Sequence, residues 1–365
     1  MNGKRFKVEG KVWFGNKKFY SGNVFGEHDK EDEAKKEFFD KAWEVAKMNN
    51  MESLSLLFQK YIPFIDEAKT QERKKNGGIK TENWLNFKDE PISGDSKKLF
   101  LDKIVRYQVL YGKIKKFSDL FKKRIDIQKE NLKNQQYEII LDDCQLKTAS
   151  RLVVGLGAGH VLETSLTLHH IFGIPYIPAS ALKGVVRMVS FWEIAGKLNK
   201  KSDNEIEKLQ EQLYDNELSG SDSEKILKHK LLFGTQNFKG LLVFLDAYPE
   251  IQDNQQIFEL DVMTPHYQGY YTKNQVPGDW ENPNPIVFLT VRKGITFCFN
   301  VLFDKYRAEK ILEDKDFPQN AKDIIENCQK NGYSNLSSDV KGWVEDALTE
   351  FGIGAKTRLG YGIFD

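Results

Sequence analysis

The stretch Phe351-Gly352-Ile353-Gly354-Ala355-Lys356-Thr357-Arg358-Leu359-Gly360-Tyr361-Gly362 decides how the rest of the chain is read. Four glycines in eleven residues, at 352, 354, 360 and 362, bracket Lys356, Thr357 and Arg358. Glycine lets backbone amides approach a ligand closely and adopt positive φ. Two cations among such residues make a cradle for an extended anion such as phosphate. A glycine-rich hairpin that merely closes a sheet has the same composition, and residue types leave both readings open. A nucleotide-binding P-loop is excluded, because it needs glycine directly before the lysine and must open a helix. Here Ala355 precedes Lys356, and no helix is expected over the few residues down to Asp365.

Upstream of this loop, Ser338 to Leu348 reads as a capped amphipathic helix, and Ile286 to Phe303 as two apolar strands hinged at Lys293-Gly294. The long loop Thr264 to Pro285 holds His266, Tyr267, Tyr270, Tyr271 and Trp280. These rings suit a projecting hairpin that stacks on nucleotides, and a core-filling role suits some of the tyrosines equally. Phe258–Met263 and Gly240–Ala247 read as strands, and about 196–229 as a charged insertion, flexible around Ser219-Gly220-Ser221. In Pro178-Ala179-Ser180-Ala181-Leu182-Lys183-Gly184-Val185-Val186-Arg187, Ser180 is the expected N-cap of a helix running through Trp192. Lys183 and Arg187 are four residues apart and share one face near its start, where backbone amides also favour anions. A solvated helix face is the plain alternative. Arg151 to Gly159 carries glycines spaced G-x-G-x-G with no helix after them, which argues against a Rossmann fold. Glu138-Ile139-Ile140-Leu141 begins a strand that resumes after Cys144.

Residues 1–135 differ in grammar. Residues 4–20 alternate loosely between cations and large apolar groups, as in a basic hairpin or arm. Helical spacing follows from about Asp29 to Lys69, then an exposed loop at Arg73–Gly78, then helical spacing again. Residues 97–136 hold twelve cations against four carboxylates, although the 365-residue chain has a net charge of only +1. Such a block suits a polyanion or a neighbouring subunit; an ordinary solvated helix face would look the same. The apolar fraction of 40% supports a core. Cys144, Cys298 and Cys328 lack CxxC spacing, which argues for a reducing compartment and against a zinc ribbon. No membrane-length apolar run or signal-peptide core is present, so a cytoplasmic location is expected. The organisation expected is a basic, helix-rich extension at 1–135 and a core at 136–365. From Tyr137 the order is β-α-β-β-α-β, that of an α+β ferredoxin-like or RNA-recognition fold, whose sheet is a surface for single-stranded RNA.

Three segments carry a resemblance to a known family: Gly173 to Gly184 with Arg187, Asp261-Val262-Met263-Thr264-Pro265-His266-Tyr267, and Gly352 to Gly362. In this order they resemble the RAMP proteins of CRISPR systems, in particular the sixth-subunit family of Cmr (type III-B) effector complexes. The resemblance covers roughly Tyr137 to Asp365, with Ala179-Ser180 standing where many members read glycine then serine. It implies a ferredoxin-like RAMP core in an antiviral ribonucleoprotein, holding the 3′ part of the guide RNA and its pairing with target RNA beside other Cmr RAMP subunits. The RNA-binding residues it points to are Lys183, Gly184, Arg187, His266, Tyr267, Gly352, Gly354, Lys356, Thr357, Arg358, Gly360 and Gly362.

Related RAMP proteins also include guide-processing ribonucleases. Metal-independent cleavage needs a general base and acid, for which His160, His169, His170 and His266, with Lys183 or Tyr267, are the candidates. Adjacent residues on a strand point to opposite faces, so His169 and His170, and likewise Asp142 and Asp143, are expected to diverge. No catalytic constellation, metal set or cofactor is expected.

Overall fold

The structure, a computed structural model, describes residues 5–14, 17–28, 63–73, 79–85, 94–106, 108–160, 162–200, 202–214, 218, 222–273, 276–278, 280 and 283–365. Four strands come first: β1 (Arg5–Phe14), β2 (Lys17–His28), β3 (Pro63–Arg73) and β4 (Ile79–Leu85). Helices α1 (Gly94–Arg106) and α2 (Gln108–Asn134) lead into β5 (Tyr137–Lys147). Then come α3 (Ala179–Lys197), α4 (Asp203–Tyr214) and α5 (Glu224–Phe233), followed by β6 (Leu242–Phe244), β7 (Tyr248–Glu250) and β8 (Phe258–Met263). The short α6 (Gln268–Lys273) precedes β9 (Ile286–Val291) and β10 (Thr296–Asp304). Helices α7 (Lys305–Glu313), α8 (Gln319–Gln329) and α9 (Ser334–Asp346) complete the α+β chain. The chain divides into two units, one of Met1–Lys115, Gly155–Ile174 and Asp253–Val291, the other of Lys116–Val154, Pro175–Gln252 and Arg292–Asp365.

In the first unit, β2-β1-β3-β4 form an antiparallel sheet. The β1–β2 pair is the hairpin that the alternation at 4–20 allows. The helix expected as far as Lys69 is corrected over residues 63–69, which lie in strand β3, and Arg73, expected in the loop, ends that strand. Proline restricts the residue before it to extended backbone and so breaks a helical run, and β3 then satisfies its amides against both β1 and β4. The helical reading at 29–62 and the loop reading at 74–78 lie outside the described residues. Helix α1 packs on the antiparallel pair β8–β9, burying Leu101 and Ile104, and the strands bury Phe258, Phe288 and Leu289. Lys97 is buried as well, its Nζ 2.8 Å from Glu163.

The second unit is built on β10, where Phe297, Phe299, Val301, Leu302 and Phe303 are all buried. Such a continuous apolar run belongs to a strand covered on both faces. Strand β10 pairs antiparallel with β5 on one side and with β6 and β7 on the other. Just beyond β5, Thr148 forms an antiparallel bridge with Phe364. The interruption expected near Cys144 is a bulge, since the register shifts around Asn300 and Asp143 takes φ 43°. A bulge re-aims a side chain, so Asp142 and Asp143 do not diverge. Their carboxylates lie 2.7 and 3.2 Å from Lys129 Nζ of α2. Burial works to lower the Lys129 pKa, and the hydrogen bonds to these two carboxylates outweigh it and raise it.

The expected insertion at 196–229 is partly core. Helix α4 buries Leu209 and Leu213, and α5 buries every residue from Leu231 to Phe233 together with Ile226, Leu227, His229 and Lys230. Lys230 is tolerated there because its Nζ lies 2.8 Å from Asp222, an ion pair with side chains 1% and 10% exposed. Residues 219–221 lie outside the described residues. The C-terminal helix begins at Ser334, four residues before the expected start, after Tyr333 in a left-handed conformation. Among the described residues no helix is long and apolar enough to cross a membrane.

Candidate nucleic-acid interface

The glycine loop is a tight return. Gly362 (φ +71°) donates its amide to the Arg151 carbonyl at 2.7 Å and accepts from Ile353 N at 3.0 Å. A Cβ at Gly362 would lie 1.9 Å from the Ile353 oxygen, and one at Gly354 (φ +97°) 2.4 Å from the Val153 oxygen. Both positions therefore require glycine for backbone packing. Gly352 and Gly362 are buried, whereas Gly354 is exposed on its other side. The tip is different: Thr357–Leu359 form one 3-10 turn, Lys356 and Thr357 are half-buried, and Arg358, Leu359 and Gly360 are exposed. Lys356 adopts φ 63°, uncommon for a residue with a long side chain. The loop thus closes the edge of the sheet while presenting Arg358 outward.

Helix α3 starts two residues earlier than expected. Pro178 occupies the N-cap position, so Ser180 falls inside the first turn. The cap comes from Asp246, whose carboxylate accepts from Ala179 N at 2.7 Å. This carboxylate takes the place that an anion at the helix terminus would use. Truncating Asp246→Ala is expected to cost about 1 kcal/mol in stability, the usual value of an N-cap, measurable as a lowered denaturant midpoint. Lys183 and Arg187 are half-buried on this helix, and Gly184 is exposed between them. Burial, then the charges of Arg187 and Lys239, hold the Lys183 ammonium below its ordinary pKa. Arg187 lies over the Tyr214 ring at 4.4 Å and donates from Nη2 to the Leu213 carbonyl at 3.4 Å. The turn Ala347–Phe351 that leads into the glycine loop packs against α3.

His266 and Tyr267 are exposed in the long connection between β8 and β9, their ring centroids 6.2 Å apart. Tyr270 and Trp280 are 50% and 77% exposed, which argues against core filling for these two rings; Tyr271 lies in α6. His169 and His170 occupy a turn rather than a strand, and their rings stack at 4.9 Å instead of diverging. His169 Nδ1 accepts from the amides of Ile171 and Phe172 at 3.3 and 3.4 Å, and His160 Nδ1 from Leu162 N at 3.1 Å. These nitrogens serve local turns. Of the basic block, Lys97, Arg106, Lys122 and Lys129 are committed to carboxylates within their own units.

Sequence reasoning missed Lys239, Tyr214, Asp246 and His229. His229 is 2% exposed and lies 3.0 Å from Ser190 Oγ through Nδ1. The only early signal was an aspartate ending the apolar run Leu241–Leu245.

Comparison with known proteins places this geometry in a family. The RAMP superfamily profile matches residues 145–365. The CRISPR system Cmr subunit Cmr6 of Pyrococcus furiosus is 30% identical over 370 residues, covering 87% of this chain and 96% of that protein. The CRISPR system CMR subunit Cmr6 of Saccharolobus solfataricus is 30% identical over 196 residues, covering 53% of this chain and 56% of its own. Among solved structures, a chain of the type III-B Cmr-beta complex bound to cognate target RNA is 23% identical, with a TM-score of 0.43 over 68% of this chain and 65% of that one. The crystal structure of Cmr6 from Pyrococcus furiosus is 32% identical, with a TM-score of 0.37 over 62% and 97%. On the extent of the profile match and of the Pyrococcus similarity, the chain belongs to the RAMP superfamily, in the Cmr6 family of CRISPR Cmr subunits.

Proposed function

We propose that this protein is a non-catalytic RNA-binding and assembly subunit of a type III-B CRISPR ribonucleoprotein, holding the 3′ part of the guide RNA and the guide–target duplex beside other Cmr subunits. The observation that carries the reading is the convergence of Lys183, Arg187 and Lys239. Lys183 and Arg187 stand one turn apart on α3, and the Lys183 pKa is lowered first by burial and then by the charges of Arg187 and Lys239. Among the described residues no carboxylate pairs with Lys183 or Arg187, and Lys239 reaches Asp304 only at 3.7 Å. Three cations brought together with a single paired carboxylate, Asp304 on Lys239, suit a polyanion. The exposed Arg358 at the tip of the glycine loop belongs to the same unit. The similarity to the Pyrococcus Cmr6 supports Cmr subunits as partners.

The antiparallel order of the Phe364 edge, β5, β10 and β6 supports a ferredoxin-like core in residues 136–365. On this reading residues 1–135 extend the core, and Lys183, Gly184, Arg187, His266, Tyr267 and the loop from Gly352 to Gly362 contact RNA.

The test is filter binding of the purified chain to guide-length RNA across a salt series, with the same samples analysed for cleavage. Salt-sensitive binding of intact RNA is expected. Replacing Lys183, Arg187, Lys356 and Arg358 together by alanine should weaken binding at least about tenfold and lower the salt slope by about 3, at roughly 0.7 per phosphate contact on a single strand. Unchanged affinity and slope in that variant would sink the proposal. Metal-independent cleavage lost on substituting His169 or His266 would make the protein a ribonuclease instead.

A further inference from the structure

Helices α3, α4 and α5 enclose a pocket of about 260 Å³ beside the cation cluster. Met188, Phe191 and Trp192 from α3 and Leu213 and Tyr214 from α4 line it, with Arg187 and the buried His229. Its volume is below the roughly 300 Å³ at which pockets begin to take drug-sized ligands, so it suits one ring system. Trp192 and Tyr214 are 45% and 49% exposed, and Met188 is 36% exposed. Large apolar side chains gathered around a concavity and left in water mark a binding site rather than a core. Gly184, exposed at the rim, leaves open space where a side chain would stand.

From the aromatic lining, the Arg187–Tyr214 stack and the flanking Lys183, we infer that this pocket receives a single nucleobase turned out of the RNA strand. The inference deepens the RNA-binding reading and rests on it. The cations explain why a base enters in preference to an aromatic side chain of a protein: phosphates on either side of the base meet Lys183 and Lys239 while the ring enters the pocket. Stacking on aromatic side chains tolerates any base, and the guanidinium over Tyr214 adds a second flat cationic surface. His229 contributes a polar edge with no charge, since burial, then Arg187, hold its pKa down to about 3.

The test compares binding of the full chain to a short oligoadenylate and to an abasic oligomer of the same length and charge at fixed salt. The oligoadenylate should bind about tenfold more tightly, the worth of one well-stacked base. Trp192→Ala should abolish that preference while leaving abasic binding unchanged. Tyr214→Ala serves as a second variant, with circular dichroism confirming that both fold. Equal affinity of the wild type for the two oligomers overturns the inference and leaves the phosphate reading standing. Failure of both to bind removes the RNA reading and this inference with it. Should Trp192→Ala keep the preference for bases and lose incorporation into an assembled Cmr complex, the pocket holds a protein side chain and the nucleobase inference is overturned.

Discussion

Gly362→Ala is expected to unfold the C-terminal edge of the second unit, with a loss of about 3–5 kcal/mol, in the range reserved for strained or overpacked backbone positions. Two costs combine. The residue sits at φ +71°, where a side chain is disfavoured by roughly 1–2 kcal/mol. Its Cβ would also lie 1.9 Å from the Ile353 carbonyl oxygen, a backbone atom with no rotamer to change. Relaxation is blocked on both sides. Gly362 is bonded to Arg151 and Ile353, while Ile363 and Asp365 are bonded to residues 147–150. Thermal unfolding followed by circular dichroism should show a midpoint lower by on the order of 10 °C. Gly360→Ala is the control. It has φ +84° but nothing within 4 Å of a Cβ, so only the left-handed strain remains. A Gly362→Ala protein that melts with the wild type would show that the loop is not held by this packing, and the glycines would then need an explanation in ligand approach alone.

That comparison also marks where the sequence stopped being readable. Hairpin closure and anion cradle predict the same residues, and only the positions of Val153 O and Ile353 O separate Gly354 and Gly362, which packing demands, from Gly360, which it does not. Strand β8 and the β-rich run of β10 were legible because apolar and β-branched residues need only local pattern to be recognised. The Asp142–Asp143 bulge was not, since it depends on the partner strand and on Lys129. The start of α3 was placed to within two residues, but its cap comes from Asp246, 67 residues from Ala179. Likewise α5 looks like charged surface because of Lys225, Lys228 and Lys230, and only Asp222 makes the burial of Lys230 tolerable. Lys183 and Arg187 were found by spacing. The approach of Lys239 to Lys183 and the pocket that Tyr214 lines are products of tertiary packing and leave no mark at a fixed distance along the chain.

Acidification should destabilise the second unit through His229, by up to about 1.4 kcal/mol per pH unit between pH 6.5 and about 3. Burial, and then the charge of Arg187, depress its pKa in the fold from 6.5 to about 3. In that interval the unfolded chain holds a proton on this imidazole that the folded chain does not, so lowering the pH favours unfolding. Above pH 6.5 the imidazole is neutral in both states, and its stabilising contribution is complete. From pH 6.5 to 4 the loss from this one group amounts to about 3 kcal/mol. Carboxylates add their own pH dependence, so the measurement is a difference: urea unfolding of the wild type and of His229→Gln at several pH values. Glutamine keeps a polar partner for Ser190, which lies 3.0 Å from the imidazole, but does not titrate. The variant should be less stable at pH 7 by about 1 kcal/mol and should lose stability less steeply below pH 6.5. Parallel curves would mean that His229 takes up its proton in the folded state. An imidazolium there would repel Arg187 from its seat over Tyr214, and the same variant would then relieve an acid-induced loss of RNA affinity; with a neutral imidazole, affinity between pH 6.5 and 5 should follow only the stability of the fold.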